Sequence, residues 1–230
     1  GLLARLTPGQ TRRRWHRFQH LYLWFFYGFL LPKWVFHDDF VIWRSRHIGS
    51  HPMPRPSRTD SGMFVLWKLV FIAWALVIPA LYHPILQVLA FHFIAVFTLG
   101  VTLGTTFQLA HCLDEAEFPH PPLAGARLGN DWASHQLETT VDFAAGNGLV
   151  TWFCGGLNFQ VEHHLFPRVC HVHYPALSRI VSEVSAKHGL QHRKNVTLRD
   201  AIRSHFQHLR RLGLKPLALP LPIPLPIPAV

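Results

Sequence analysis

Disulfides cannot hold this chain together. Its cysteines are Cys112, Cys154 and Cys170, an odd set without paired spacing. That excludes a disulfide framework and a paired-thiolate metal site, and it suits a reducing compartment. Acidic residues are also few: twelve Asp and Glu stand against 22 Lys and Arg, a formal charge of +10. Charge of either sign is scarcest in two stretches, Phe64–Tyr82 (FVLWKLVFIAWALVIPALY) and Pro84–Leu103 (PILQVLAFHFIAVFTLGVTL). Among Asp, Glu, Lys, Arg and His they contain Lys68 and His92 alone. Each run has about twenty residues, enough as a helix to cross ~30 Å of hydrocarbon. The apolar share of the whole chain, 49%, is ordinary for a globular protein. The membrane signal therefore lies in where the apolar residues are, and Lys68 sits close enough to one end to snorkel to the headgroups.

The basic residues are not gathered as a nucleic-acid footprint would require. Ten of the 22 lie in the first 62 residues, eleven lie after His111, and the connector at His83 has none. Positive charge outside both ends of an apolar hairpin and absent from its tip predicts cytosolic ends. The first residue is Gly1, with neither an initiator methionine nor a signal-peptide pattern, so a piece of a longer chain is expected.

Four regions follow from these contrasts. Residues 1–63 read as a cytosolic or interfacial segment. Within them, Leu21–Phe36 is apolar but interrupted by Pro32 and Lys33, which suits a helix lying in the interface, and residues 37–60 read as a proline-dotted loop. Residues 64–110 form the two-span hairpin. Residues 111–212 read as cytosolic, with helical pattern over 130–143 and 174–188. Residues 213–230 are a proline-rich tail, with alternating prolines that favour an extended polyproline conformation.

Eighteen histidines are present, and most read as structural. His16 and His20 share a helix face, but the neighbouring arginines oppose a cation, so a structural or interfacial role is expected. His47 and His51 fall among Gly49, Ser50 and Pro52 and read as loop. His171 and His173 alternate, leaving support of a site and simple packing both open. His163 and His164, in QVEHHLFP, are adjacent. Neighbouring imidazoles can ligate two metals, or one metal with the second ring turned outward, and imidazole suits iron, zinc and copper. His111, where the second apolar run meets the cytosol, can join them if the chain folds back.

QVEHHLFP, preceded by GGLNF and followed by HVHYPALSRIV, resembles the third histidine box of the membrane fatty acid desaturases. HQLETTVDF, FQLAH and WHRFQHLY resemble the same family's bacterial and front-end branch, so the likeness runs from about residue 5 to about residue 190. The resemblance implies that His163 and His164 are iron ligands and that His111 matches a further ligand position at the end of the last membrane helix. Gln160 stands where other branches have the box's first histidine. An amide is a poor iron ligand, so an orienting or water-holding role is implied. The first two histidine boxes are expected upstream of Gly1, so residues 1–230 alone are expected to be inactive. No HPGG haem motif is present, which leaves electron donation to a separate cytochrome b5 or ferredoxin type of partner or to sequence outside these residues.

The resulting expectation is an all-α, multi-pass membrane protein with a cytosolic helical histidine-box region. As the resemblance has it, two irons use dioxygen to insert a double bond into the chain of an acyl lipid or acyl thioester, at a bacterial inner membrane or endoplasmic reticulum. Membrane lipids are the surroundings, and no nucleic acid is involved. Removing hydrogen from an unactivated methylene pair needs an oxidant that side chains cannot supply, which is why a metal cofactor is required. Metal-bound imidazoles need partners on their second nitrogens, and Glu138, Asp142 and Glu162 are candidates. A membrane hydroxylase with a similar histidine cluster and a metal-binding membrane protein without oxygen chemistry are the alternatives.

Overall fold

The structure is a computed structural model that describes residues 2–49, 51–119 and 131–214. The 213–230 tail therefore lies outside the described residues except at Gly213 and Leu214. Helix α1 covers residues 14–45 as consecutive 3-10, α and π turns. Strands β1 (His47–Ile48) and β2 (His51–Pro52) pair antiparallel. Helices α2 (Arg58–Ala80) and α3 (Ile85–His111) follow. Next come α4 (Trp132–Thr139), β3 (Asp142–Phe143), α5 (Gly148–Phe153) and α6 (Gln160–Leu165). The last elements are α7 (Tyr174–Lys187), β4 (Lys194–Asn195) and α8 (Leu198–Leu214). β3 and β4 pair in parallel, with Asp142 opposite Lys194.

Two compact units divide these elements. One contains residues 24–105. Here α2 and α3 have mean hydropathies of 2.1 and 2.0 over their most apolar windows, and none of the α2 window is buried. Trp67, Trp74 and Phe91 are 61%, 63% and 78% exposed. A soluble protein rarely shows so continuous an apolar surface, and a soluble core helix of this length would be covered. Both helices are long and apolar enough to cross a bilayer. A reciprocal cap starts α2: the Asp60 amide donates to Ser57 Oγ at 3.0 Å and the Ser57 amide to Asp60 Oδ2 at 2.9 Å. Lys68, the cation in the first apolar run, donates to Asp39 Oδ2 at 2.6 Å and to the Val35 carbonyl at 2.8 Å.

That pair accounts for a departure from the sequence reading. Residues 37–45, read as loop, continue α1 to Ser45, because Asp39 pairs with Lys68 and Trp43 stacks on Phe64 at 5.6 Å. The helix then stops at Arg46, which takes a left-handed φ of 57°. Within the same unit, a Cβ on Gly100 would lie 2.5 Å from the Gly28 carbonyl oxygen. Small residues there let two backbones touch, as in membrane helix pairs.

The other unit contains the described residues among 1–23 and 106–214. Amphipathic α8 buries Ala201, His205, His208, Leu209 and Leu212, one face at helical spacing. The N-terminal segment is fastened to it: Arg5 Nη1 donates to the Leu212 carbonyl and Gln19 Nε2 to the Leu209 carbonyl, each at 2.8 Å. Further in, Leu137, Val161 and Val181 bring α4, α6 and α7 together. The helix expected over 130–143 ends at Thr139, where the chain turns extended and β3 begins. β-branched Thr139 and Thr140 favour that change, and the pairing with β4 fixes it.

Candidate functional site

α6 holds the histidine pair at its C-terminal end. The chain reaches it through Gly155 and Gly156, with φ of 59° and 80°, a conformation that glycine adopts without strain. A Cβ on Gly156 would also lie 2.6 Å from Cβ of His171. His111, the last residue of α3, meets the pair: its ring centroid is 5.0 Å from that of His164, and His163 and His164 are 5.9 Å apart. The three imidazoles expected to act together are thus neighbours.

Each member of the pair is oriented from behind. His164 Nδ1 donates to Gln136 Oε1 at 2.7 Å, which leaves Nε2 as the free lone pair. His163 Nδ1 lies 3.3 Å from the Tyr174 hydroxyl. Burial, reinforced by His111 and His163, pushes the His164 pKa down to about 4. The ring is neutral at pH 7, the form that binds a metal. Rings at these separations can hold one ion between two of them or serve two neighbouring ions, and neutral nitrogen donors fit iron. The donor set therefore fits.

Gln160 is buried, and its Oε1 has no hydrogen-bond partner, as befits an acceptor waiting for a water or another polar group. Asp142 and Glu162 are fully buried, and they meet His192 instead of the imidazole pair. His192 Nε2 donates to Asp142 Oδ2 at 2.8 Å and lies 3.5 Å from Glu162 Oε1. Among the described residues, this trio is the group of His, Cys, Asp and Glu whose ligand atoms all lie within 4.8 Å of one another. Burial lifts Glu162 to about 8, with the charge of Asp142 adding to it, and lifts Asp142 to about 6. The same burial lowers His192 to about 4. Burial thus favours the protonated form of the carboxyls and the neutral form of the imidazole. Glu138 is half-buried, and its backbone carbonyl accepts from the Glu117 amide at 2.9 Å and from Arg193 Nη1 at 2.5 Å.

The other histidines weighed in the sequence have settings of their own. His16 is buried, accepting from the Arg13 amide and facing the Leu2 carbonyl. His20 packs edge-on against Phe206. His47 and His51 are exposed on the β1–β2 hairpin, and His171 and His173 are exposed ahead of α7. Three supporting residues escaped the sequence reading: Gln136, Tyr174 and His192. Gln136 and Tyr174 lie inside HQLETTVDF and HVHYPALSRIV, so those motifs held the only signal. Gln136→Leu is expected to weaken metal retention by His164 about tenfold or more, the usual effect of losing a ligand's outer partner. Metal release to a chelator would measure this, and an unchanged rate would rule out the orienting role.

A largely helical chain with two bilayer-length apolar helices and a cluster of three neighbouring imidazoles defines the class. The family follows from comparison. The fatty acid desaturase profile matches residues 4–195, and the chain belongs to that family. It is 33% identical over 216 residues to an sn-1 linoleoyl-lipid 6-desaturase of Arthrospira platensis, covering 93% of this chain and 58% of the relative. It is 35% identical over 219 residues to an acyl-lipid (8-3)-desaturase of Physcomitrium patens, covering 94% and 45%. A Delta(5) fatty acid desaturase A of Dictyostelium discoideum is 33% identical over 214 residues, covering 92% and 46%. The chain thus spans about half the length of these relatives. No solved structure matches it.

Proposed function

We propose that this chain is the third-histidine-box part of a fatty acyl desaturase that inserts a double bond into the acyl chain of a lipid. The observation that carries the reading is the meeting of His111, His163 and His164 within a chain of this family. His163 and His164 would hold iron, with His111 completing this chain's share, and further ligands come from sequence outside it. When bound, two irons supply the dioxygen chemistry that breaks unactivated C–H bonds.

The side chains have the remaining work. Gln136 and Tyr174 hold the imidazoles through Nδ1, which would leave the other ring nitrogens for a metal. Gln160, with its unpaired Oε1, orients a water or a ligand beside them. The apolar helices keep the protein where its substrate is dissolved. Acyl-lipid substrates are favoured because the relatives' names specify them, and electrons come from a separate donor of the cytochrome b5 or ferredoxin type. The direct test supplies membranes containing the complete protein with acyl lipid, dioxygen and a reducing system. A product two mass units lighter than the substrate, absent above an empty-membrane control when His163 is replaced, is expected. No such product from the intact protein contradicts the reading.

The same reading places both ends of the α2–α3 hairpin on the cytosolic side, because the basic residues flank it and avoid its tip. Reporters fused at residue 83 and near residue 200 should therefore report opposite sides of the membrane. Reports from one side would remove the two-span topology.

A further inference from the structure

α6 has six residues, Gln160–Leu165, and its N-cap residue, Phe159, makes no side-chain cap. So short a helix depends on outside partners for its first amides. The Val161 amide has one, donating to Asp142 Oδ1 at 3.0 Å across 19 positions of sequence. The other oxygen of that carboxylate is held by His192 Nε2 at 2.8 Å. His192 is fixed in turn by Ser182 Oγ, 2.9 Å from Nδ1. Lys194 Nζ donates to Ser178 Oγ and Ser182 Oγ at 3.0 and 2.9 Å. The β3–β4 pairing places Asp142 beside Lys194, so backbone and side chains specify one arrangement. The side chains of His192 and Asp142 are 3% and 0% exposed, and water cannot replace a lost bond there.

We infer that His192 is a positioning residue for the imidazole pair: by holding the Asp142 carboxylate it fixes the first turn of α6, and with it His163 and His164. The inference rests on the reading of that pair as iron ligands. Both ring nitrogens of His192 are occupied, so its part is to orient rather than to bind metal. Any shift of the Val161 turn is passed along a single short helix to both imidazoles. Without His192, Asp142 Oδ2 loses its 2.8 Å donor, and the carboxylate that caps the Val161 amide is held less firmly.

The test compares His192→Leu, which removes both ring contacts, with His192→Gln, whose amide can still donate toward Asp142. In the complete, iron-free protein, amide hydrogen exchange over residues 159–165 should rise about tenfold in the leucine variant, while exchange in α7 stays at the wild-type rate. In the iron-loaded protein, release of iron to a chelator should quicken about tenfold or more. The glutamine variant should recover most of both losses. Wild-type exchange and release in the leucine variant, or equal impairment of the two variants, would overturn the inference. If the leucine variant does not accumulate, Ser182→Ala decides: it removes the contact to His192 together with the Ser182 bonds to the Ser178 carbonyl and Lys194, exchange over 159–165 about fivefold faster is expected, and a wild-type rate overturns the inference. Absence of iron from the wild-type protein would defeat the ligand reading instead, with the exchange measurement still standing.

Discussion

Alanine at His163 or His164 is expected to reduce desaturation by the complete protein to below about one part in a thousand, roughly 4 kcal/mol of barrier. Each change removes a candidate ligand from the short helix α6 and strands the group behind it, Tyr174 for His163 and Gln136 for His164. A small side chain leaves space for water but supplies no nitrogen, so bound iron should fall as well. His51→Ala is the matched control, because His51 is exposed on the β1–β2 hairpin, and it should change neither quantity. Mass spectrometry of the acyl products and metal analysis of the purified variants measure the two effects. Equal damage from the His51 and His163 changes would show that the ligands have been chosen wrongly.

Gly213→Val is expected to destabilise the unit containing α8 by about 3 kcal/mol or more. A Cβ at this position would lie 2.2 Å from the His16 carbonyl oxygen and 2.9 Å from its carbon. Those are backbone atoms, so no side chain can swing aside, and overpacking of a tight contact costs about 1–3 kcal/mol by itself. Separating the two segments also strains the bonds from Arg5 to Leu212 and from Gln19 to Leu209, each worth about 1 kcal/mol. The consequence reaches the site, because α8 also carries His205, whose Nδ1 donates to the Cys112 carbonyl at 2.7 Å, next to His111. Gly9→Ala, with nothing within 4 Å of the added Cβ, should be nearly neutral. Thermal unfolding in detergent compares the two, and equal midpoints would show that the Gly213 contact is not needed.

The features written locally in the sequence were the readable ones. Two charge-poor runs foretold α2 and α3 because membrane spans are set by length and hydropathy alone. Adjacent histidines in QVEHHLFP marked the candidate site because two imidazoles on one short helix are contiguous in sequence. The helical continuation over residues 37–45 was hidden by its polar residues, whose purpose appears only when Asp39 meets Lys68. The supporting contacts were hidden by separation: Gln136 lies 28 positions from His164, and Asp142 lies 50 from His192. No periodicity connects positions so far apart. Glu138, Asp142 and Glu162 are the sequence's candidates for partners of the second imidazole nitrogens. In the structure a neutral amide and a phenol stand behind His164 and His163, while Asp142 and Glu162 gather on His192.

Metal analysis of the purified complete protein, beside the variant with both His163 and His164 replaced by alanine, tests the central claim most directly. Iron bound in stoichiometric amount to the wild type and lost from the double variant is the predicted result. Stoichiometric zinc with no iron in the wild type, or iron retained in full by the double variant, would contradict it.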